Sequence, residues 1–204
     1  MTDTIVRLKT TLEDQAASYT VQLSAETIAR LVDYYSLLSH WNDRLHLVAP
    51  CEPEEFATRH ILESLLLLRF FAEGASFVDV GSGAGLPAFP CLIARPDLTA
   101  TMIESSQKKS VFLRETLNQL GIGKRATVIT KRFEDTKSPD VPFLTCRALD
   151  QFMTQVPTLM DWAPASCTLL FFGGDKLRQQ LESRQARYTE FLIPLSEKRF
   201  IFTL

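Results

Sequence analysis

The sequence predicts an α/β protein in which helices cover a mostly parallel β-sheet and a helical extension precedes the sheet. Residues 1–73 space their apolar side chains as helices do, whereas from Ser76 onward short apolar runs alternate with helical stretches. That alternation is typical of right-handed βαβ units. The last apolar runs, Tyr188–Leu195 and Lys198–Leu204, are separated only by Ser196 and Glu197. They predict an antiparallel hairpin at the sheet edge.

The extension is expected to consist of helices that each bury one face. Ser24 suits an N-cap, and Pro53 suits the first turn of a second helix, where Glu54 and Glu55 are favourable beside the positive helix end. The second helix is expected to stop before Gly74. Apolar residues with helical spacing follow the two starts: Ile28, Leu31, Val32, Tyr35 and Leu38, then Phe56, Ile61, Leu65 and Leu68.

The remainder of the chain carries the sheet. The predicted strands are Ser76–Val80, Thr99–Ile103, Thr127–Thr130, Phe143–Cys146 and Thr168–Phe172, and the predicted helices include Gln107–Leu120 and Gln151–Trp162. The pattern changes near Gly74. We therefore divide the chain into an extension, residues 1–73, and a main domain, residues 74–204.

Composition is that of a globular protein with one compact domain and an appendage, since 46% of the 204 residues are hydrophobic and 23% are charged. The four cysteines are far apart and form no C-x-x-C pair, which favours free thiols over a metal site or disulfides. The N-terminal residues lack the apolar core of a signal peptide, and Leu65–Phe71 is too short to span a bilayer. We expect a cytoplasmic protein without metal or membrane contact and with no obligate protein partner evident.

A glycine-rich loop follows the first predicted strand, within the segment VDVGSGAGLP (78–87). Gly81, Gly83 and Gly85 allow a sharp turn and close approach of the backbone to a ligand, and the following helix directs its free N–H groups to the same place. Dinucleotide-binding proteins use a similar loop, so the loop by itself does not identify the ligand.

Two details favour S-adenosylmethionine over a dinucleotide. Leu86 occupies the position where the dinucleotide fingerprint has Gly or Ala, and the Asp79 carboxylate, which would repel a pyrophosphate, can face a positively charged methionine end. Glu104 ends the second strand, where an acidic side chain binds ribose hydroxyls in both classes. The alternative is a glycine-rich turn without a cofactor. The predicted cofactor site comprises Asp79, Gly81, Ser82, Gly83, Leu86 and Glu104.

The type of methyl transfer is constrained by what the chain lacks. The Asn/Asp-Pro-Pro-Tyr type element of amino-group methylation is absent after the fourth strand, which continues as Thr145-Cys146-Arg147-Ala148. Carbon methylation needs an activated cysteine at that strand, whereas Pro90-Cys91 lies in the helix after the glycine loop. What remains is a reaction without a dedicated base. Guanine N7 is consistent with such a reaction, because its lone pair carries no proton and transfer then needs positioning and electrostatics. No catalytic residue is assigned, and Arg147 is the candidate.

Cations follow three predicted strands at neighbouring ends, on the side where such sheets bind ligands. They are Lys108 and Lys109 after the second strand, Lys131 and Arg132 after the third, and Arg147 after the fourth. The net charge is −2, so an RNA backbone would require a local patch of this kind. The alternative is that Lys108 and Lys109 form a solvated helix start. Lys124 and Arg125, which precede a strand, are expected to be solvated.

Five segments in order give the sequence a specific resemblance. They are Trp41-Asn42, RHILES (59–64), FVDVGSGAGLPAFPCLIARP (77–96), MIESSQKKSVFL (102–113) and CRA (146–148). Over roughly residues 20–195 the chain resembles the bacterial 16S rRNA guanine-N7 methyltransferases, the glucose-inhibited division protein B family. The resemblance implies a class I S-adenosylmethionine-dependent methyltransferase fold, a Rossmann-like, mostly parallel seven-stranded sheet with a helical N-terminal extension. It also implies methylation of N7 of guanine 527 in 16S rRNA, either naked or in a small-subunit assembly intermediate.

The resemblance also assigns residues. It implies that Gly81 and Leu86 contact the cofactor and that Phe133 and Glu134 frame its adenine. It implies that Arg147 lies near the methionine end or the substrate.

The sequence departs from the family where a Lys-Gly pair is common after the fifth strand, since Gly173-Gly174 stands there. Lys176 is the candidate replacement in RNA binding. His60 is interpreted as a structural hydrogen-bonding residue, with substrate contact as the alternative. Two other functions stay open: a class I methyltransferase with another substrate, and a non-catalytic RNA- or nucleotide-binding relative.

Overall fold

A computed structural model describes residues 2–147 and 152–204 of the protein. Gln151, the predicted start of one helix, and Ala148 of the CRA segment lie outside the described residues. Each of the five strands predicted before the hairpin is present within one residue of its expected bounds.

Seven strands of the described ranges form one sheet in the order β3-β2-β1-β4-β5-β7-β6. They are β1 (Ser76–Val80), β2 (Thr99–Ile103), β3 (Ala126–Ile129), β4 (Phe143–Cys146), β5 (Thr168–Gly173), β6 (Thr189–Leu192) and β7 (Phe200–Thr203). Strands β1 to β5 are parallel, and β7 pairs antiparallel with both β5 and β6. The predicted mostly parallel sheet with an antiparallel hairpin is confirmed, with β6 as the outermost strand.

Helices precede the sheet and alternate with its strands. In the extension they are α1 (Thr2–Gln15), α2 (Ala25–Leu45), α3 (Pro53–Glu55), a π-helical stretch (Phe56–Leu62), α4 (Glu63–Leu65) and a final 3₁₀ turn (Leu66–Arg69). Around the sheet they are α5 (Ala88–Ala94), α6 (Gln107–Gln119), α7 (Phe152–Trp162) and α8 (Asp175–Ser183). Ser24 is the N-cap of α2, as its sequence position predicts, since its hydroxyl accepts a hydrogen bond from the Thr27 N–H at 3.1 Å.

The extension and the sheet share one hydrophobic core. Leu31 and Leu38 of α2 are buried in the same cluster as Phe89 of α5 and Phe112 of α6. A second cluster on the opposite face of the sheet buries α7 and α8. Consequently the apolar stripe of the extension is covered by the helices on one face of the sheet, as an amphipathic helix requires.

Arg125 corrects an expectation, because its side chain is half-buried rather than solvated. Its guanidinium donates hydrogen bonds to the carbonyl groups of Leu92, Arg95 and Leu98, at 2.9, 3.4 and 3.1 Å. These carbonyls belong to the last turn of α5 and the residues after it, where orphan acceptors need partners. Lys124 is exposed, as expected. No helix in the described ranges is long and apolar enough to cross a membrane.

Candidate active site

The glycine loop begins directly at the carboxyl end of β1. Gly81, Gly83 and Gly85 all have positive φ, at 74°, 49° and 82°, a conformation that side chains rarely adopt. At Gly85 the constraint is also steric, since a Cβ atom would lie 2.0 Å from the ring of Phe89. A Cβ at Gly83 would meet only the Gly81 carbonyl oxygen, at 3.7 Å. The loop is therefore tightly packed on the helix side and open at Gly83.

The extension supports the loop from behind. The buried Tyr34 of α2 donates a hydrogen bond from its hydroxyl to the Ala84 carbonyl at 2.8 Å. Its ring lies 5.3 Å from that of Phe89, between centroids. The loop conformation is thus held by a side chain of α2, which lies 50 residues earlier in the chain, and not by the glycines alone.

Glu104 lies at the carboxyl end of β2, next to the loop. One carboxylate oxygen accepts the Gly83 N–H at 2.8 Å, and the other accepts the Ser106 N–H at 2.7 Å. The side chain is buried but still lines the cavity in front of the loop. An ionised carboxylate has about four lone-pair sites, so these two bonds leave acceptor capacity for hydroxyl groups.

A cavity of about 560 Å³ lies in front of the loop, a size in the usual range for small-molecule sites. Most of the site residues that the sequence suggested are brought together in its wall: Gly81, Ser82, Gly83, Leu86, Glu104, Lys109, Lys131, Arg132, Phe133, Glu134 and Arg147. Phe133 is buried and packs edge-on against Trp162, with ring centroids 5.5 Å apart. One end of the cavity is therefore bounded by the segment after β3.

Asp79 is placed differently from the cavity-facing position that was expected. Its side chain is only 1% exposed and is absent from the cavity wall, because it is directed at β4, where the Thr145 hydroxyl donates to Oδ1 at 2.8 Å. Its other carboxyl oxygen is buried without a partner among the described residues. Burial raises the pKa of Asp79 to about 7, although the hydrogen bond from Thr145 opposes the shift. Asp79 therefore lies behind the loop, close to its ionisation midpoint at neutral pH.

The predicted basic residues do not form one uniform group. Lys109, Lys131 and Arg132 line the cavity, whereas Lys108 and Lys176 are exposed and lie outside its wall. The expectation of three neighbouring cationic strand ends is also wrong in one respect. Strands β2 and β3 are adjacent, but β4 lies on the far side of β1. Lys109, Lys131 and Arg132 thus flank one end of the cavity, and Arg147 lies at the other.

Arg147 is bound to the extension by hydrogen bonds and an ion pair. Its guanidinium donates to the carbonyls of Arg59 and His60 and to the Ser64 hydroxyl, and it pairs with the buried Glu63 carboxylate at 3.3 Å. Burial lowers the pKa of Arg147, while Glu63 opposes the shift. Arg147 thereby fastens the end of β4 to the π-helical stretch while still lining the cavity.

A second arginine reaches the same buried carboxylate from the hairpin. Arg199, directly before β7, approaches Glu63 to 2.7 Å. It lies beside Gly173, which pairs with Phe200 in the sheet. A Cβ at Gly173 would lie 2.5 Å from the Leu177 side chain, so a larger residue there requires Leu177 to move. A cation beside this end of β5 therefore comes from the segment that directly precedes β7.

Sequence patterns missed one wall of the cavity. Leu47, Val48 and Ala49, which follow α2, line it together with His60. Asn42 fixes this loop, since its amide oxygen accepts the Val48 N–H at 2.9 Å and its amide nitrogen donates to the Val48 carbonyl at 3.1 Å. The Trp41-Asn42 segment was the available signal, although it indicated a family and not a wall of the site.

These residues fit S-adenosylmethionine. The open backbone at Gly83 allows close approach, Glu104 offers acceptors to ribose hydroxyls, and the apolar Phe133 and Leu86 can enclose an adenine.

Comparison with known proteins agrees with this geometry. The GidB family model, described as rRNA small subunit methyltransferase G, matches residues 27–196. The chain belongs to this family. Proteins named ribosomal RNA small subunit methyltransferase G are similar to it in Halorhodospira halophila, at 33% identity over 83% of this chain and 80% of the relative. The relative from Stenotrophomonas maltophilia is 39% identical over 69% of this chain and 65% of the relative. The relative from Xanthomonas axonopodis pv. citri is 43% identical over 63% of this chain and 60% of the relative. The matches thus span between 60% and 80% of these relatives.

Solved structures agree on the fold. A SAM-dependent methyltransferase from Aquifex aeolicus superposes with a TM-score of 0.58 at 16% identity, covering 82% of this chain and 96% of that one. An RNA methyltransferase from Salinibacter ruber, solved with S-adenosyl-L-homocysteine, gives 0.55 at 13% identity, covering 76% and 92%. The predicted class I methyltransferase fold is confirmed. With the family assignment, so is S-adenosylmethionine as the cofactor.

Proposed function

We propose that this chain methylates N7 of guanine 527 in 16S rRNA, acting in the cytoplasm on the RNA or on a small-subunit assembly intermediate. When bound, S-adenosylmethionine supplies a methyl group whose transfer to the N7 lone pair breaks the methyl–sulfur bond, leaves that electron pair on sulfur and moves the positive charge to the purine. The proposed cofactor contacts are Gly81, Ser82, Gly83, Leu86, Glu104, Phe133 and Glu134.

The observation that carries the N7 assignment is the weakness of the proton acceptors in the described cavity wall. His60 is a poor base, because burial and the neighbouring Arg147 and Arg59 lower its pKa to about 3. The two carboxylates in that wall, Glu104 and Glu134, are the proposed ribose and adenine contacts and are not proposed as bases. An acceptor that loses no proton during transfer suits such a site, whereas an amino or hydroxyl group would need a base.

The cationic end of the cavity supports an RNA substrate. Lys109, Lys131 and Arg132 line the cavity at the ends of two adjacent strands, where they can contact phosphates beside the cofactor. Lys108 and Lys176 are proposed as outer contacts, since both are exposed. The main domain, residues 74–204, would hold the cofactor, and the extension would contribute to the wall that receives the base.

The experiment is methylation of 16S rRNA by the purified protein, with naked RNA and small subunits as separate substrates. Mass spectrometry of the fragment that contains guanine 527 should find N7-methylguanine only when protein and S-adenosylmethionine are both present. The same fragment from cells that lack the gene should be unmethylated. Methylation of another position, or none in either substrate, would contradict the assignment.

A further inference from the structure

The imidazole of His60 lies in the cavity wall, and one of its ring nitrogens has no partner in the part of that wall that the structure describes. Nδ1 is buried and has no hydrogen-bond partner among the described residues. The residue is used by its backbone instead, because its carbonyl accepts from the Ser64 hydroxyl at 2.5 Å and from Arg147 at 3.3 Å. Nδ1 therefore takes no part in the structural hydrogen bonding that the sequence suggested for His60. A buried polar atom without a partner costs free energy, so it points to a partner that binds later.

The ring is nevertheless held firmly. It packs against Phe56, with ring centroids 5.0 Å apart, and it lies within the π-helical stretch Phe56–Leu62. Such stretches are rare in proteins, and those that occur frequently lie at functional sites. Arg147 donates hydrogen bonds to the carbonyls of Arg59 and His60, and these bonds fix the stretch to the end of β4. His60 is therefore a pre-positioned group on a rigid element.

The topology places His60 opposite the cofactor's ribose contact. Glu104 ends β2 and Arg147 follows β4, with β1 between these strands. His60 adjoins Arg147, so it lies on the β4 side of the cavity, away from Glu104 and the cationic end.

The charge state of His60 suits that position. With a pKa lowered to about 3 by burial, Arg147 and Arg59, the imidazole is neutral at pH 7 and has one donor and one acceptor nitrogen. A neutral group can hydrogen bond a purine edge without repelling the positive charge that methyl transfer moves onto the base. The nearby Arg147 pairs with Glu63, a carboxylate that it shares with Arg199.

We propose that His60 hydrogen bonds the edge of the acceptor purine and holds its N7 toward the methyl group, as a specificity-determining residue. This inference rests on the proposed function, since it requires a purine acceptor in this cavity.

The test compares His60→Phe, which keeps an aromatic ring against Phe56 but removes both nitrogens, with His60→Asn and His60→Gln, which keep a donor and an acceptor. His40→Phe, at an exposed position of α2, is the matched control. For each protein, kcat/KM for RNA, RNA affinity in the presence of S-adenosylhomocysteine, affinity for S-adenosylhomocysteine alone and Tm are measured. His60→Ala replaces His60→Phe if the latter fails to fold.

His60→Phe should lower kcat/KM for RNA by about tenfold or more, weaken RNA binding, and leave S-adenosylhomocysteine affinity and Tm near wild type. Asn or Gln should restore most of the loss, and His40→Phe should have no effect. Unchanged kcat/KM in His60→Phe overturns the inference while leaving the proposed function intact. A parallel loss of affinity for S-adenosylhomocysteine, or a parallel fall in Tm, overturns the inference in favour of a structural role for His60. A wild-type protein that methylates no RNA overturns both.

Discussion

Replacement of Glu104 by Gln tests the cofactor site most directly. The carboxylate accepts the N–H groups of Gly83 and Ser106 with separate oxygens, at 2.8 and 2.7 Å. Glutamine has one carbonyl oxygen, so its NH₂ group must face one of these N–H groups and leave it unsatisfied. Leaving one backbone N–H group unsatisfied costs about 1–3 kcal/mol of stability. Losing a charge-assisted hydrogen bond to a ribose hydroxyl costs a further ~1.5–3 kcal/mol of binding free energy. The second contribution corresponds to a rise in the Kd of S-adenosylmethionine of roughly 10- to 100-fold.

Isothermal titration calorimetry with S-adenosylmethionine measures this change. Asp135→Asn is the matched control, because it removes one negative charge from an exposed position near the same end of the cavity. The control should bind as wild type does. Binding by Glu104→Gln within about twofold of wild type would refute the assignment of this carboxylate to the ribose.

Three further predictions follow from the loop, the buried acid and the basic wall. Gly85→Ala should destabilise the protein by about 2–5 kcal/mol, since an unfavourable positive φ is joined by a steric clash, whereas Gly74→Ala, with open space around it, should cost only about 1–2 kcal/mol in urea unfolding. Asp79 has a native pKa raised by burial to about 7 from 3.8, so the native state binds its proton more tightly and stability should fall by about 3 kcal/mol between pH 4 and 7. Asp79→Asn should remove that pH dependence. Combined Lys131→Ala and Arg132→Ala should weaken RNA binding and reduce its salt dependence by about one unit of slope per cation, with cofactor affinity unchanged.

Each of these predictions has a distinct contrary result. Equal losses of stability in the two glycine variants would mean that the clash at Gly85 is relieved at little cost. Identical pH profiles for Asp79→Asn and wild type would place the native pKa of Asp79 near its ordinary value. For the basic wall, Lys124→Ala is the control. Lys124 is exposed at the amino end of β3, whereas Lys131 and Arg132 follow the carboxyl end of that strand. A control that weakens RNA binding as much would indicate a diffuse charge effect.

The fold was largely predictable because its signals are local. Ser24 caps α2 with its own side chain, and each parallel strand is a short apolar run whose burial depends little on register. The helix predicted to begin at Pro53 and stop before Gly74 contains the π-helical stretch Phe56–Leu62 and ends in a 3₁₀ turn at Arg69. Nothing in the local spacing marks that change, since it accompanies contacts with Arg147, more than 80 residues later.

The cofactor half of the site was predictable for the same reason. The glycine loop and Glu104 lie about 20 residues apart on adjacent strands, a spacing that the βαβ unit itself fixes. Asp79 was misplaced because its position before the loop does not reveal which way a strand side chain faces. Its partner, Thr145, comes from β4, which only the sheet order places beside β1.

The acceptor half of the site depends on tertiary contacts between the two parts of the chain. Glu63, buried to 2% exposure, lies between Arg147 and Arg199, which come from β4 and from the hairpin. Removing Glu63 leaves the largely buried Arg147 charge without its carboxylate partner, and a loss of this kind typically costs about 3–5 kcal/mol. The same contacts set the position of His60. The extension therefore forms part of the cavity wall. Loss of the Glu63 pairing should displace the wall around His60 before it disturbs the glycine loop, which Tyr34 holds through the Ala84 carbonyl.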